Sequence, residues 1–289
     1  MLEAVLALPF PAIDPVALRI GPVLGWGPIQ IKWYGLAYMG GLLLGWLYLR
    51  RLLDQPELWS AGRAPFTREA TEDLLLMMTF GIIIGGRLGH VLLYHPAEYL
   101  RDPLEILRVW NGGMSFHGGL AGAGIAAWLF ALRTQAPVLS VFDACAAVVP
   151  FGLFFGRTAN FINGEYWGTI TSAPWGIVFP DPAAGLFARH PSQLYEALLE
   201  GLALFVVLRI LTHKQLGLRS PGKVTGAFLI GYGAARIFCE LFREPEEGAP
   251  FNLGWLTTGM AYSLPMIALG LWFIRRARET QVAPARSIR

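Results

Sequence analysis

Several polar residues follow one another at the end of a long apolar run near the middle of the chain. Residues 151–168 read FGLFFGRTANFINGEYWG and include Arg157, Asn160, Asn163, Glu165 and Gly168. Arg157 and Asn160 are three residues apart, so a helix would place them on one face. The planar guanidinium of arginine matches phosphate oxygens, which makes this face a candidate phosphate-binding site. The alternative is a structural ion pair between Arg157 and a carboxylate such as Glu196 or Glu240.

Two further arginines, Arg87 and Arg236, also lie within apolar runs. An arginine near the centre of a bilayer costs about 2.5–3.5 kcal/mol on insertion scales, so it normally has a partner or a ligand. For these three arginines we expect an anionic ligand to supply the compensation.

His117 is the titratable group of a second polar segment, NGGMSFHGGLAG at residues 111–122. An imidazole with an ordinary pKa of about 6.5 can accept a proton at neutral pH. It can equally donate a hydrogen bond to a neighbouring helix, and the residues alone leave both interpretations open. The five histidines show no pair at metal-ligand spacing, so we expect no metal and no cofactor.

A third stripe consists of Tyr232, Arg236 and Glu240, which are spaced four residues apart and would share one helix face. Arg236 and Glu240 are first an intrahelical salt bridge. A functional arginine oriented by Glu240 is compatible with that pairing.

The segment HPSQLYE at residues 190–196 precedes a further apolar run. Pro191 suits a helix start and Ser192 is a candidate N-cap. Gln193 and Glu196 would then face the same side.

The composition that surrounds these segments is that of a membrane protein. Of 289 residues, 54% are hydrophobic and only 15% are charged, whereas soluble domains carry about 25% charged residues. The mean hydropathy is +0.47. Apolar runs near the ~20 residues that cross a bilayer predict seven spanning helices, at residues 34–53, 73–94, 116–133, 141–161, 192–211, 224–242 and 255–274. We therefore predict an all-α membrane protein with one domain over residues 1–289, whose seven-helix bundle occupies residues 34–276.

The distribution of positive charge predicts the orientation. Outside the spans, fourteen Lys and Arg residues lie on one side and six on the other, and the richer side faces the cytoplasm. Segment 1–33 then lies outside as an interfacial segment, not a cleaved signal peptide, because it lacks a basic start and contains several prolines. Loops 95–115 and 162–191 are also outside, and tail 277–289 is cytoplasmic. We expect one polar chamber in the outer half of the membrane, formed by Tyr34, Arg87, His90, His117, Arg157, Asn160, Glu196, Arg236 and Glu240.

Five segments, in order, resemble the prolipoprotein diacylglyceryl transferase family: WYG at 33–35, GGMSFHGG at 112–119, GRTANFINGEYWG at 156–168, HPSQLYE at 190–196 and YGAARIFCELFREP at 232–245. The resemblance extends from about residue 30 to 275. The sequence departs from the usual pattern at Thr158 and Ala159, where the family commonly has Ile-Gly, and at Cys239 and Leu241. These departures bear on packing and leave the polar positions in place.

The resemblance implies a bacterial inner-membrane enzyme that transfers diacylglyceryl from phosphatidylglycerol to the lipobox cysteine thiol of a prolipoprotein, releasing glycerol 1-phosphate. It implies that Arg157 binds phosphatidylglycerol. The candidate catalytic residues are His117, Arg236, Glu240 and Tyr34. The candidate phosphatidylglycerol-binding residues are Arg157, Asn160, Asn163, Glu165, Gly168, Gln193, Glu196 and Tyr232. The expected partners are this lipid, the prolipoprotein signal peptide and the bilayer, with no nucleic acid.

The residue types suit that chemistry. A thiol with a pKa of about 8.5 is a poor nucleophile until it is deprotonated, and the leaving phosphate develops negative charge that arginines stabilise. We expect His117 to assist deprotonation, although Tyr34 or the phosphate itself are alternatives. Cys145 and Cys239 lie inside apolar runs and are expected to be small buried hydrophobes.

Two other classes of function remain as alternatives. A lipid or anion transporter would also gather arginines inside a bundle, but it usually shows inverted repeats and access from both sides. An intramembrane protease would need a Ser–His pair or paired aspartates. Ser115 is too close in sequence to His117 for a mutual hydrogen bond on a helix, and Asp143 lies at the opposite face of the membrane.

Overall fold

The helices of the protein coincide with the predicted apolar segments. The computed structural model describes residues 7–22, 27–93, 96–109, 112–245, 253 and 256–278. The α-helices are α1 (Trp33–Leu53), α2 (Ala70–Leu93), α3 (Pro96–Arg101), α4 (Phe116–Thr134), α5 (Val138–Asn163), α6 (Ser192–Glu196), α7 (Leu204–His213), α8 (Lys223–Glu240) and α9 (Thr258–Arg276). Short 3-10 turns occur at Pro56–Leu58, Ser60–Gly62, Pro103–Leu107, Pro182–Ala184 and Gly217–Arg219. Each of the seven predicted segments contains a helix. Most of tail 277–289 and parts of loop 95–115 and segment 1–33 lie outside the described residues.

The described residues are mostly helical, as predicted, and they differ from the sequence prediction in two places. Four short strands form two two-stranded sheets: β1 (Leu8–Pro9) pairs in parallel with β4 (Ile177–Val178), and β2 (Val16–Ile20) pairs antiparallel with β3 (Ile29–Lys32). The predicted helix at 192–211 is also not uniform, because a π-helix, Ala197–Ala203, separates α6 from α7. Strands of two to five residues carry too short an alternation to be recognised in sequence.

Among the described residues, Ala70–Leu92 and Val138–Asn163 are long and apolar enough to cross a membrane by length and composition. That all seven segments span the bilayer stays a prediction. Large apolar side chains are nevertheless exposed along most of the long helices, for example Leu43 on α1, Ile84 on α2 and Trp272 on α9. Apolar surface on this scale is unfavourable in water and suits contact with lipid.

Helix α5 is the centre of the bundle and contacts α1, α4, α6, α7, α8 and the π-helix. Helix α2 packs on α4, and α8 packs on α9. The α2–α4 pair approaches closely because both helices present glycine: a Cβ at Gly85 would collide with the Gly118 carbonyl oxygen.

Asp143, in the first turns of α5, fixes the start of α8. Its fully buried carboxylate accepts hydrogen bonds from Gly222 N, Thr225 N and Thr225 Oγ1, all at 2.7 Å. The two backbone N–H groups are amides of the kind left unpaired at a helix N-terminus. The bond network holds α8 in a fixed register against α5, and both helices carry their functional side chains at their far ends.

Candidate functional site

Four helical segments place charged side chains around one point. Helix α5 contacts α6, the π-helix and α8, and α8 contacts the other two. We define the ion-pair cluster as Arg157 on α5, Glu196 on α6, Glu200 in the π-helix, Arg236 and Glu240 on α8, and Arg243 directly after α8. Residues far apart in sequence therefore meet where α5 and α8 end.

Glu196 is the centre of the ion-pair cluster. Its Oε1 accepts a short hydrogen bond from Arg236 Nη1 and a 2.9 Å hydrogen bond from Arg243 Nη1. Its Oε2 lies 3.3 Å from Arg157 Nη1. The side chain is completely buried, so this carboxylate is surrounded by three guanidinium groups. Arg157 therefore does form the structural ion pair that was the alternative to phosphate binding.

Glu200 is the second fully buried carboxylate of the ion-pair cluster. Its Oε2 accepts a 3.4 Å hydrogen bond from Arg157 Nη2, and its Oε1 lies 3.9 Å from Arg236 Nη1. Within the part of the chain that the structure describes, Glu200 Oε1 has no hydrogen-bond partner.

Glu240 holds Arg236 from the other side. The expected i, i+4 ion pair is present, between Arg236 Nη2 and Glu240 Oε1. Glu240 Oε2 also accepts from Thr257 Oγ1, and Thr257 is the N-cap of α9. Arg236 is consequently fixed between Glu196 and Glu240.

The three arginines of the ion-pair cluster differ in exposure. The side chain of Arg157 is 20% exposed, against 14% for Arg236 and 7% for Arg243. Three carboxylates balance three guanidinium groups, which satisfies the requirement that buried charges be paired. Arg157 makes no ion pair shorter than 3.3 Å, whereas Arg236 and Arg243 each make a shorter one. Arg157 is also the most exposed of the three, so it is the arginine best placed to exchange a carboxylate for another anion.

Glu165 has its own amide network beside the ion-pair cluster. Its Oε1 accepts from Asn160 Nδ2 at 2.7 Å and from Asn163 Nδ2 at 3.3 Å. Its backbone carbonyl accepts from Gln193 Nε2 at 2.5 Å. These predicted site residues therefore hold one another, and Gln193, which is fully buried, ties the loop after α5 to α6.

Gly168 lies where two backbone carbonyls crowd the chain. Its N–H donates to His190 O at 2.9 Å, and its carbonyl accepts from Arg189 Nη1 at 3.1 Å. A Cβ at this position would collide with the carbonyl oxygens of His190 and Phe242, so only glycine fits. Burial lowers the pKa of the His190 imidazole, whose Nδ1 lies 3.0 Å from the Tyr195 hydroxyl.

Tyr34, His117 and Tyr232 occupy three different positions. The hydroxyl of Tyr34 is 3.1 Å from that of Tyr38. Tyr232 lies on α8, one helical turn before Arg236. His117 is exposed in the first turn of α4, and its ring contacts that of Tyr262 on α9 at a centroid distance of 4.9 Å.

Two expectations from the sequence are wrong. Arg87 does not need an anionic ligand, because its guanidinium donates to the carbonyls of residues 105, 106, 112 and 113 and lies over the ring of Tyr99. Ser192 is not an N-cap: it is the first residue of α6, and its hydroxyl donates to Tyr166 O at 2.9 Å. Loop carbonyls from distant sequence compensate both groups.

Comparison with known proteins decides the family. Residues 22–276 match the family model described as prolipoprotein diacylglyceryl transferase. The chain belongs to the prolipoprotein diacylglyceryl transferase family.

Curated members of this family are similar to the chain over almost its full length. A phosphatidylglycerol–prolipoprotein diacylglyceryl transferase of Rhizobium meliloti (strain 1021) is 52% identical over 277 residues, which are 96% of each chain. The protein of that name in Rhizobium leguminosarum bv. trifolii (strain WSM2304) is 53% identical over 274 residues, 94% of each chain. The one in Agrobacterium fabrum (strain C58 / ATCC 33970) is 52% identical over 273 residues, 94% of this chain and 95% of the relative.

Two members of the ion-pair cluster, Glu200 and Arg243, were not predicted as site residues from the sequence of this prolipoprotein diacylglyceryl transferase family member. Glu200 follows Glu196 by four residues within an apolar run, and a carboxylate in a spanning segment is by default a candidate for function. The position of Glu200 in the predicted span 192–211 therefore already indicated a candidate site residue. Arg243 lies just beyond the predicted span 224–242 and was not predicted as a site residue, although it is buried and forms an ion pair with Glu196.

Within the described ranges, no three His, Cys, Asp or Glu side chains are grouped so as to hold a metal ion. Both cysteines are free thiols, with Cys239 buried and Cys145 half-buried.

Proposed function

We propose that this chain transfers the diacylglyceryl group of phosphatidylglycerol to the lipobox cysteine of a prolipoprotein, the first step of bacterial lipoprotein maturation. Membership of the family supports the proposal, and so do relatives that share about half of their residues with this chain and bear this activity in their names. The structural observation that carries it is the partly exposed, loosely paired guanidinium of Arg157.

The reaction requires a site that stabilises a departing phosphate. The thiolate sulfur attacks the glyceryl carbon that bears the phosphate ester, and a carbon–sulfur bond forms. The carbon–oxygen bond breaks, and its electron pair leaves on glycerol 1-phosphate, whose charge rises by one negative unit. Preorganised donors at that oxygen lower the barrier most where water is scarce.

Arg157 supplies these donors, and Arg236 supplies positive charge beside them. Arg157 exchanges its long contacts with Glu196 and Glu200 for the phosphate oxygens. Arg236 stays fixed between Glu196 and Glu240, and contributes positive charge without losing its partners. Glu240 acts here by orienting Arg236.

The amide network shapes the lipid side of the site. Asn160 and Asn163 hold the Glu165 carboxylate, and Gln193 holds its backbone. Gly168 lets the following loop approach the residues after α8. Tyr232 lies on α8, one helical turn from Arg236. We propose that these residues form the binding site for the headgroup of phosphatidylglycerol, in which the fully buried Gln193 acts by holding the Glu165 backbone in place.

His117 is the proposed base that accepts the thiol proton. It is exposed at the start of α4 and contacts α9, the helix whose N-cap binds Glu240. This location suits a substrate that arrives from outside the bundle, such as a signal peptide in the bilayer. We place the enzyme in the bacterial inner membrane with this site toward the outer leaflet.

The activity is tested with purified protein, phosphatidylglycerol vesicles and a lipobox peptide. We expect the peptide to gain the mass of one diacylglyceryl group through a hydroxylamine-resistant thioether, with one glycerol 1-phosphate released per peptide. A peptide with serine in place of the cysteine and vesicles of phosphatidylethanolamine alone are the controls. Movement of phosphatidylglycerol across the vesicle without peptide modification would support a transporter instead.

The orientation is tested by thiol labelling of intact spheroplasts. In a Cys145→Ser, Cys239→Ser background, Ala183→Cys lies in loop 162–191 and Lys214→Cys lies after α7, and both positions are exposed. A membrane-impermeant maleimide should label Ala183→Cys before lysis and Lys214→Cys only after lysis. The reverse pattern contradicts the proposed orientation.

A further inference from the structure

Glu200 is the one member of the ion-pair cluster that lies in a π-helix. The π-helix Ala197–Ala203 interrupts an otherwise α-helical segment that begins at Ser192 and ends at His213. Such local widening is rare, loses regular hydrogen bonding and often accompanies functional sites. Here it carries a fully buried carboxylate toward two arginines.

Gly201 explains how Glu200 comes so close to α5. A Cβ on Gly201 would lie 2.6 Å from Phe154 Cβ and 2.7 Å from Phe154 Cα. Phe154 precedes Arg157 by three residues and therefore lies on the same side of α5. The missing side chain at Gly201 thus allows the π-helix backbone to pack directly against the turn that carries Arg157.

The contacts of Glu200 with Arg157 and Arg236 are long, so they orient the two guanidinium groups and still allow them to move. The hydrogen bond from Arg157 Nη2 is 3.4 Å long, whereas strong charge-assisted hydrogen bonds measure about 2.7–2.9 Å. Glu200 Oε1 has no hydrogen-bond donor among the described residues, yet it lies 3.9 Å from Arg236 Nη1. One carboxylate therefore faces both arginines that we assign to the phosphate.

We propose that Glu200 is a positioning residue for the transfer reaction: it directs the guanidinium groups of Arg157 and Arg236 toward the phosphate and acts only through them. The proposal rests on the proposed function. Because Glu200 is completely buried behind Arg157, it touches neither lipid nor thiol. Its negative charge also weakens lipid binding slightly, since it competes with the phosphate for Arg157.

This double role predicts an unusual kinetic result for Glu200→Gln. The amide keeps the size of the side chain and removes the charge. We expect kcat to fall roughly 10- to 100-fold. This loss is smaller than the loss of about 10²–10³-fold that is typical when a direct hydrogen-bond donor is removed. The KM for phosphatidylglycerol should stay equal or decrease. Glu200→Asp keeps the charge and should recover much of kcat.

Gly201→Ala tests the same inference without changing any charge. The added methyl group pushes the π-helix away from Phe154 and displaces Glu200, so kcat should fall as it does in Glu200→Gln. The double variant should be no slower than the slower single variant, because both changes act through one contact. Gly124→Ala on α4 is the matched glycine control, because a Cβ at this position meets no atom within 4 Å. Glu72→Gln is the matched charge control, because Glu72 is an exposed residue of α2.

All rates are divided by the amount of folded enzyme, which is measured as the monodisperse fraction in size-exclusion chromatography. A purely structural role predicts unchanged kcat and KM for the folded fraction, and that result in Glu200→Gln overturns the proposal. If Glu200→Gln does not fold, a wild-type kcat in folded Gly201→Ala overturns it equally, because the displaced Glu200 should slow that variant. Wild-type enzyme without transfer activity would reject the proposed function, whereas active wild type with indifferent variants rejects only the role of Glu200.

Discussion

Arg157 Nη1 lies 3.3 Å from Glu196 Oε2, and this contact is an ion pair without a well-formed hydrogen bond. Glu196 directs its other oxygen to Arg236 and Arg243, so Arg157 shares a carboxylate that is already occupied. The guanidinium is held in place but weakly enough to move. In a reaction that must capture an anionic headgroup, this arrangement keeps a buried positive charge compensated until the ligand arrives.

Replacement of Arg157 should therefore abolish transfer. We expect Arg157→Ala to lose at least about 10²-fold in kcat/KM, because a phosphate donor is removed where water is scarce. Arg157→Lys should recover only part of this loss, since an ammonium group lacks the bidentate fork. Peptide modification measured by mass spectrometry gives the rates. Arg133→Ala, an exposed arginine at the end of α4, is the control and should retain full activity. Wild-type turnover in Arg157→Ala would remove Arg157 from the phosphate site.

Asp143→Ala should reduce stability while leaving the chemistry of the folded enzyme intact. Two backbone amides and one hydroxyl lose their acceptor at the start of α8, and buried donors left unpaired cost about 1–3 kcal/mol each. Thermal unfolding in detergent should show a clear decrease in Tm. Asp181→Ala, which removes an exposed turn cap, is the comparison and should change Tm little. Equal Tm values for the two variants would show that Asp143 does not hold α8.

The sequence was sufficient for the helices and for many of the polar positions. Apolar runs of about twenty residues predict helices in a chain of this composition, and the i, i+4 spacing of Arg236 and Glu240 predicts their ion pair. Spacing within one helix carries this information because helical geometry is local.

Contacts between distant segments could not be predicted in the same way. The carbonyls that satisfy Arg87 belong to a loop with no repeating pattern, and Arg243 meets Glu196 only because α6 and α8 pack side by side. The π-helix was also invisible, because its sequence ALLEGLA suits an ordinary α-helix and packing against α5 selects the wider form.

The protein's own cysteines should be dispensable. We expect Cys145→Ser combined with Cys239→Ser to retain most of the activity, because the attacking thiol belongs to the substrate and neither cysteine is a member of the ion-pair cluster. Activity per folded enzyme is the measurement, and the single variants show which site causes any loss of expression. Complete loss of turnover in well-folded double variant would indicate a covalent enzyme intermediate.

His117→Gln tests the proposed base through the pH dependence of the rate. Glutamine keeps a polar side chain beside Tyr262 but cannot accept the thiol proton, so we expect the chemical step to slow by about 10²–10⁴-fold with lipid binding unchanged. The deficit should decrease as the pH rises toward 9, because hydroxide then forms the thiolate of a thiol with a pKa of about 8.5 without help.

The pH profile separates this role from simple packing. If His117 only contacts Tyr262 or donates a hydrogen bond, the variant loses a modest, constant fraction of activity, and its ratio to wild type is flat from pH 6 to 9. His213→Gln, at the end of α7 and hydrogen-bonded to Thr212, is the matched histidine control and should reproduce the wild-type profile. A flat ratio for His117→Gln would move the base to Tyr34 or to the phosphate, and Tyr34→Phe in the same assay distinguishes these two.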